Sequence, residues 1–280
     1  KLCEMWSPQG VGALGQVNQA LSHGEAAEIP EMLAPLLDLA RRVQQASDGA
    51  FDVRTGRLLR LWGFSQGSAR RDQPPSELEL APLLSDLRAA RPLGPGKYGP
   101  AAVQLDFGGV APGYIADLAA SYLEQNGVHD AIITLGDNIK AIGTRGGKPW
   151  KVGIRHPHAD AAQSMLASIE LQGGEAVLTS GDYEQFFEYQ GHRYHSILNP
   201  HTGEPAQGLQ SVTVVGPSAA WAQAASNALF VAGPQNWRSM ARTLGVTQAL
   251  VVDEGGSLSA TAALVARLQF SAGVQATSVP

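Results

Sequence analysis

The sequence predicts an α+β fold. Apolar, β-branched runs of strand length outnumber the helical stretches, and several follow one another directly with only a turn between. A doubly wound parallel sheet would instead need a helix after nearly every strand. The chain has 280 residues, 44% apolar and 16% charged, so it can bury a full core as one large domain or two closely joined ones.

Taken in order, residues 1–28 lack long apolar runs and are expected to be irregular. Pro35 opens a helix through Leu36, Leu37, Leu39, Ala40, Val43 and Ala46, stopped at Gly49. Proline suits a first turn, where its missing N–H has no partner anyway, and glycine suits a stop. Residues 64–75 have loop composition. A second helix is expected from Ser76 to about Ala90, because Ser76 and Glu79 have the spacing of a capping box. The Gly/Pro-rich stretch 91–101 predicts turns. Val103, Leu105 and Phe107 alternate as a short strand, and a helix follows from Pro112. Further strands are expected at 131–136, 151–155, 165–171, 176–180, 192–197, 211–216 and 249–253, with one apolar helix from Ala219 to Ala232.

Composition excludes several functions. A net charge of −5 argues against a nucleic-acid partner held by phosphate contacts. The single cysteine, Cys3, rules out an intrachain disulfide and a cysteine-rich metal site. It is either a plain thiol or a lipidation point of a longer precursor. No run approaches the length of a membrane span, which predicts a soluble chain. There is no nucleophile elbow and no P-loop.

Three clusters carry chemistry. The first runs from Asp106 through Gly108, Gly109, Pro112 and Gly113. Glycines at a helix mouth let an anion approach the backbone N–H groups, and the preceding carboxylate can hold a ribose hydroxyl, a ring N–H or a metal. A tight strand-to-helix turn fits the same residues. The second cluster is Thr179-Ser180-Gly181-Asp182 at the end of an apolar strand, suited to a phosphate or cation, or to a turn capped by Asp182. The third spans His195, Ile197 and the turn Asn199-Pro200-His201-Thr202-Gly203, where an imidazole can be ligand, base or ring partner. The Trp62-Gly63-Phe64 tripeptide offers rings either to a planar ligand or to the core.

Six blocks together say more than any one. FDVRTGRLLRLWGF (51–64), LDFGGVAPGYIAD (105–117), TLGDNIKAIG (134–143), TSGDYEQFF (179–187), YHSILNPHTGEPA (194–206) and SAAWAQAASNALFVAG (218–233) resemble the ApbE-type FAD:protein FMN transferases, in the same order. The resemblance implies one domain over 1–280 with a truncated N-terminal segment. Its fold would be a T-fold-like mixed or antiparallel sheet assembly, two lobes around an FAD cleft. It implies that FMN moves from FAD to a threonine or serine of a partner protein as a phosphodiester, AMP leaving, with magnesium present. The expected acceptor is a subunit of a membrane redox complex, and the expected compartment periplasmic or membrane-associated. Asp106 matches an aspartate beside the flavin, and Gly109 a position whose carbonyl touches the metal. Met5 and the Trp62–Phe64 block match segments lining the FAD cleft, and His195 and Ile197 the stretch near the dinucleotide. Asp106 and His195 are the catalytic candidates.

The departures gather at one end. Pro112 stands where the family has lysine or glutamate. Gln223 and Asn227, four apart on one helix face, stand where it has an aspartate and a threonine as metal ligands. Each amide keeps an oxygen for a hard cation, but the negative charge is gone. The sequence therefore leaves open, beside a working transferase, an FAD-binding paralogue without transfer and an FAD pyrophosphatase.

Overall fold

The computed structural model describes residues 8, 12–23, 25–65, 67–94, 97–99, 102–158 and 165–279. The chain divides into two compact units, each assembled from two stretches: Lys1–Gly109 with Glu184–Pro205, and Val110–Tyr183 with Ala206–Pro280.

Helices outweigh strands in the first unit. It holds α1 (Ala13–Ser22), α2 (Ala34–Ala46), α3 (Gly56–Leu61) and α4 (Glu77–Ala89). A small sheet joins β1 (Ala27–Glu28), β2 (Arg91–Gly94) and β3 (Lys97–Gly99) in the order β1-β3-β2. A hairpin of β9 (Phe186–Tyr189) and β10 (His192–His195) returns to this unit from later in the chain. Leu58, Trp62, Leu80, Leu87 and Leu198 form one cluster of its core, with Phe187 and Tyr194 of the hairpin packed against them. The capping box forms as expected: Ser76 N–H and Oγ both donate to Glu79 Oε2 at 2.8 Å. Those two bonds and the nearby Arg71 hold the Glu79 carboxyl down at a pKa of about 2.

Three expectations fail here. Residues 1–28 are not wholly irregular, because Leu14, Val17 and Leu21 bury one face of α1. This apolar stripe is only ten residues long, with glycine and glutamine between. The stretch 91–101 contains β2 and β3 rather than turns alone; pairing with a neighbouring strand overrides its Gly/Pro composition. The strand at 103–107 does not form as a strand. Instead Gln104 makes a lone parallel bridge to Thr55, and Asp106 N–H donates to the Val53 carbonyl at 2.7 Å.

The second unit is a layered sheet. Its seven strands run in the order β15 (Thr277–Val279), β13 (Leu258–Thr261), β12 (Ala249–Asp253), β11 (Leu209–Gly216), β8 (Ala176–Gly181), β5 (Asn138–Ile142) and β4 (Ala131–Leu135). Every pairing is antiparallel except β13 with β15. β11 is buried along its whole length, as a strand covered on both faces must be. One face, through Ala141, Val177, Val215 and Leu250, packs on β6 (Trp150–Arg155) and β7 (Met165–Leu171) through Val152, Ile154, Ile169 and Leu171, and β14 (Gln269–Phe270) completes that second sheet beside β7. The other carries α5 (Ala111–Gln125) and α6 (Ala219–Leu244), where Ala116, Ala176 and Ala219 meet. α6 breaks at Gly233 (φ 75°), just before Pro234, so its first segment ends where the sequence predicted a helix end. The mixed sheets, largely antiparallel and with helices on one face, are the expected α+β class.

Candidate functional site

In the first unit the chemistry centres on Asp106. The FDVRTG block holds it in place. Asp52 accepts hydrogen bonds from Arg54 Nε at 2.9 Å and Nη2 at 2.6 Å, and from Gln44 at 2.7 Å. Arg54 also donates to the Ala90 carbonyl at 2.8 Å. With this bend fixed, Val53 and Thr55 present their backbone to the segment carrying Asp106, and Gly56 N–H donates to the Gln104 carbonyl at 2.9 Å. The Asp106 residue is half-buried, yet protein crowds its carboxyl, and desolvation pushes its pKa up. The Gly108 N–H, donating to Oδ1 at 2.7 Å, and the Ser65 side chain offset only part of that cost. Ser65 Oγ is buried and completes no full hydrogen bond, so its influence is the weaker one. A carboxyl in this setting is a stronger base than an exposed one, and when protonated it can donate to a ligand.

The Trp62-Gly63-Phe64 tripeptide is a helix stop. Gly63 lies at φ 81°, its N–H donates to Arg60 O, and Phe64 N–H donates to Leu59 O at 2.8 Å, the paired bonds of a Schellman motif. Of the two uses the sequence left open for the ring, the core is the one filled. Trp62 is 2% exposed, stacks on Tyr194 at 5.6 Å and donates from Nε1 to the Gly203 carbonyl at 2.8 Å. Phe64, less buried, stacks on Phe187 at 5.9 Å. His195 ends β10 and is 4% exposed. Its Nδ1 accepts the Ile197 N–H at 3.3 Å, so a neutral ring carries its proton on Nε2. Met5 lies outside the described residues.

In the second unit the end of β8, the start of α5 and the middle of α6 converge. Thr179 Oγ1 lies 2.8 Å from Thr213 Oγ1, and Ser180 Oγ 2.6 Å from Ser226 Oγ. Ser226 Oγ also donates to the Gln223 carbonyl at 2.9 Å. Gly181 leaves room for the Tyr183 ring, which any Cβ there would strike. Gly113 and Pro112 open α5, and Gly113 N–H donates to Gln223 Oε1 at 2.8 Å. A Cβ on Gly113 would collide with the Ala219 carbonyl group. That glycine therefore serves a close crossing of two helices, rather than only the approach of an anion. Asp117 caps the next helix: it accepts from Ser218 Oγ at 2.8 Å and from the N–H groups of Ala219 and Ala220 at 3.0 Å.

The donors expected for magnesium are the Gly109 carbonyl and the side chains of Gln223 and Asn227. The two amides are neutral, and the Gln223 oxygen already accepts a backbone N–H. Among the described residues no group of three or more His, Cys, Asp or Glu is placed to hold a metal ion. This donor set does not fit a tightly held magnesium ion, which favours carboxylates and near-octahedral geometry.

One pair escaped the sequence reading. His158 Nε2 lies 2.8 Å from Oδ1 of the buried Asp182, whose N–H donates to the Gln210 carbonyl. Beside it, the Arg155 guanidinium lies 4.4 Å from the centre of the Tyr183 ring. The local signal was Arg155-His156-Pro157-His158 directly after a strand, but no spacing rule joins His158 to a residue 24 positions on.

Known proteins share this architecture. The chain is 34% identical over 281 aligned positions to the FAD:protein FMN transferase of Rhodobacter capsulatus, covering 94% of this chain and 50% of that protein. It is 28% identical to the FAD:protein FMN transferase of Escherichia coli, covering 82% of this chain and 67% of the relative. The chain thus spans half the length of the Rhodobacter protein. A solved ApbE protein of Thermotoga maritima superposes with a TM-score of 0.81 at 31% identity, over 91% of this chain and 83% of the other. The apo flavinyl transferase ApbE of Pseudomonas stutzeri gives a TM-score of 0.81 at 31% identity, over 98% and 85%. The family model described as the ApbE family matches residues 3–251, and this chain belongs to that family.

Proposed function

We propose that the protein is an FAD:protein FMN transferase. The observation that carries this reading is family membership across residues 3–251, together with a desolvated Asp106 held in the block where the family has an aspartate. In the reaction, the hydroxyl oxygen of a threonine or serine on an acceptor protein bonds to the FMN phosphorus of FAD. The pyrophosphate P–O bond breaks, AMP leaves with that electron pair, and the hydroxyl proton passes to a base. Phosphoryl transfer asks for positioning and charge neutralisation more than covalent help. Asp106, ionised and more basic than an exposed carboxylate, is the assigned proton acceptor. Thr179, Ser180, Gly181, His195 and Ile197 are assigned to binding the dinucleotide, with the Trp62–Phe64 turn shaping its site and Pro112 lacking a polar contact. Magnesium is the cation the family resemblance implies. The amides of this chain fit it poorly, so no step is assigned to it.

The acceptor is assigned as a protein with an exposed Thr/Ser flavinylation motif, a subunit of a membrane redox complex on the periplasmic side. The net charge of −5 supports a partner other than nucleic acid.

Incubation with FAD, magnesium and a threonine-bearing acceptor peptide tests the reading by intact mass. Gain of one FMN, less water, with stoichiometric AMP supports it; no transfer over a wide range of metals and pH overturns it. The neutral pair Gln223 and Asn227 favours one second reading, an FAD-binding paralogue. Tight, chelator-insensitive FAD binding without AMP release would establish that alternative. Free FMN without labelled peptide would instead mark a pyrophosphatase.

A further inference from the structure

We propose that Gln223 is a fastener between α5 and α6, occupying the place of a cation ligand, so that this face of α6 holds no divalent cation of its own. The first turn of any helix exposes N–H groups without intrahelical partners. In α5 one of these positions is Pro112, which has no N–H, and the next, Gly113, donates to Gln223 Oε1 at 2.8 Å. Tyr114 N–H already reaches the Val110 carbonyl. The side chain of α6 therefore caps the start of α5 from 110 residues away.

The surroundings hold the amide in that role. Gln223 is 8% exposed, and its backbone carbonyl accepts the Ser226 hydroxyl, which is itself paired with Ser180. Gly113 packs so closely on Ala219 that the two helices cannot separate to admit another ligand without losing the contact. The nearby carboxylate, Asp117, is committed to Ser218, Ala219 and Ala220 and lies 3.4 Å from Lys140 Nζ. A neutral amide oxygen, moreover, binds a hard cation more weakly than a carboxylate does. Glutamine also reaches one methylene further than aspartate, which is what a bond to the facing backbone requires and a metal ligand does not.

Metal binding and helix packing can both be measured whether or not FMN is transferred. The test uses the full chain without FAD, with Mn2+ as a spin probe followed by electron paramagnetic resonance, beside thermal unfolding of Gln223→Met. Methionine keeps the volume and removes the acceptor. Expected are no Mn2+ uptake by the wild type in the micromolar range, a lower Tm for Gln223→Met, and slow hydrogen exchange at the wild-type Gly113 amide. Micromolar Mn2+ binding that Gln223→Met abolishes would overturn the proposal, as would an unchanged Tm. Should the variant fail to fold, the wild-type titration and the Gly113 exchange rate decide alone: fast exchange at that amide overturns the fastener.

Discussion

Trp62 and Gly203 are joined by a buried 2.8 Å hydrogen bond between residues 141 positions apart. The indole N–H is the donor, and the carbonyl belongs to the turn closed by Gly203 N–H donating to Asn199 O at 2.8 Å. One family block, the helix stop at Trp62, thereby fixes the shape of another, the Asn199–Gly203 turn. Trp62→Phe should keep most of the ring packing on Tyr194 but leave the carbonyl without its donor. The expected loss is about 1–3 kcal/mol of unfolding free energy. Chemical denaturation measures it, and a loss below a few tenths of a kcal/mol would show that the bond contributes little.

Asp106 should cost stability in exchange for reactivity. Burial raises its folded-state pKa above the ordinary 3.8. Below the unfolded pKa both states are protonated and the group costs nothing. As pH rises through that value the unfolded chain ionises first, so stability falls until the folded carboxyl has also ionised. Asp106→Asn, which keeps the size and stays neutral, should therefore unfold at a higher Tm than wild type near neutral pH. The advantage should vanish at pH values below about 4, while FMN transfer drops by roughly 100-fold or more. A Tm difference that stays constant across the titration would remove the desolvation argument.

The contrast between Glu79 and Gln223 explains what the sequence could and could not reveal. Glu79 acts on a residue three positions away, so the Ser76–Glu79 box was readable as a local pattern and forms at 2.8 Å. Gln223 acts on Gly113 across 110 residues, and nothing local tells a capping amide from a weakened metal ligand. The same distinction runs through the fold. Strands such as Met165–Leu171 and Ala249–Asp253 announce themselves by short, mostly apolar runs. β2 and β3 do not, because their existence depends on pairing rather than on composition. Asp106 is legible as a chemical candidate, but the groups around it, the Val53 carbonyl that accepts its N–H and the Ser65 side chain that partly offsets its desolvation, are distant in sequence. The His158–Asp182 pair was invisible for the same reason.

Restoring charge on α6 should restore a cation site. In Gln223→Asp with Asn227→Thr, a carboxylate replaces the amide at the first position and a hydroxyl oxygen the second, one helical turn apart. Divalent-ion affinity, measured by Mn2+ titration in the presence of FAD, should rise by roughly tenfold or more, because ligand charge sets affinity for hard cations. The same exchange shortens the residue that reaches Gly113, so Tm in metal-free buffer should fall. Unchanged affinity would mean that this helix face does not point at the bound pyrophosphate.

Arg267 holds the turn before β8 through a two-point contact, with Nη1 and Nη2 each 2.7 Å from a Glu175 oxygen. It also donates to Gln248 at 2.6 Å and to the Glu170 carbonyl at 2.8 Å. Burial alone would raise the Glu175 pKa, but the Arg267 hydrogen bonds, aided by Gln172 N–H, outweigh it and the net shift is downward from 4.5. A carboxyl with a lowered folded pKa stabilises the fold above its unfolded pKa, and that contribution disappears as pH falls through the folded one. Glu175→Gln should therefore lose about 1 kcal/mol at pH 7, at the low end for a forked pair because both side chains keep some solvent contact. The two proteins should converge in stability as the pH drops below the carboxylate range. Urea titrations of both at neutral and acid pH measure this, and a deficit that persists undiminished in acid would place the effect in packing rather than in charge.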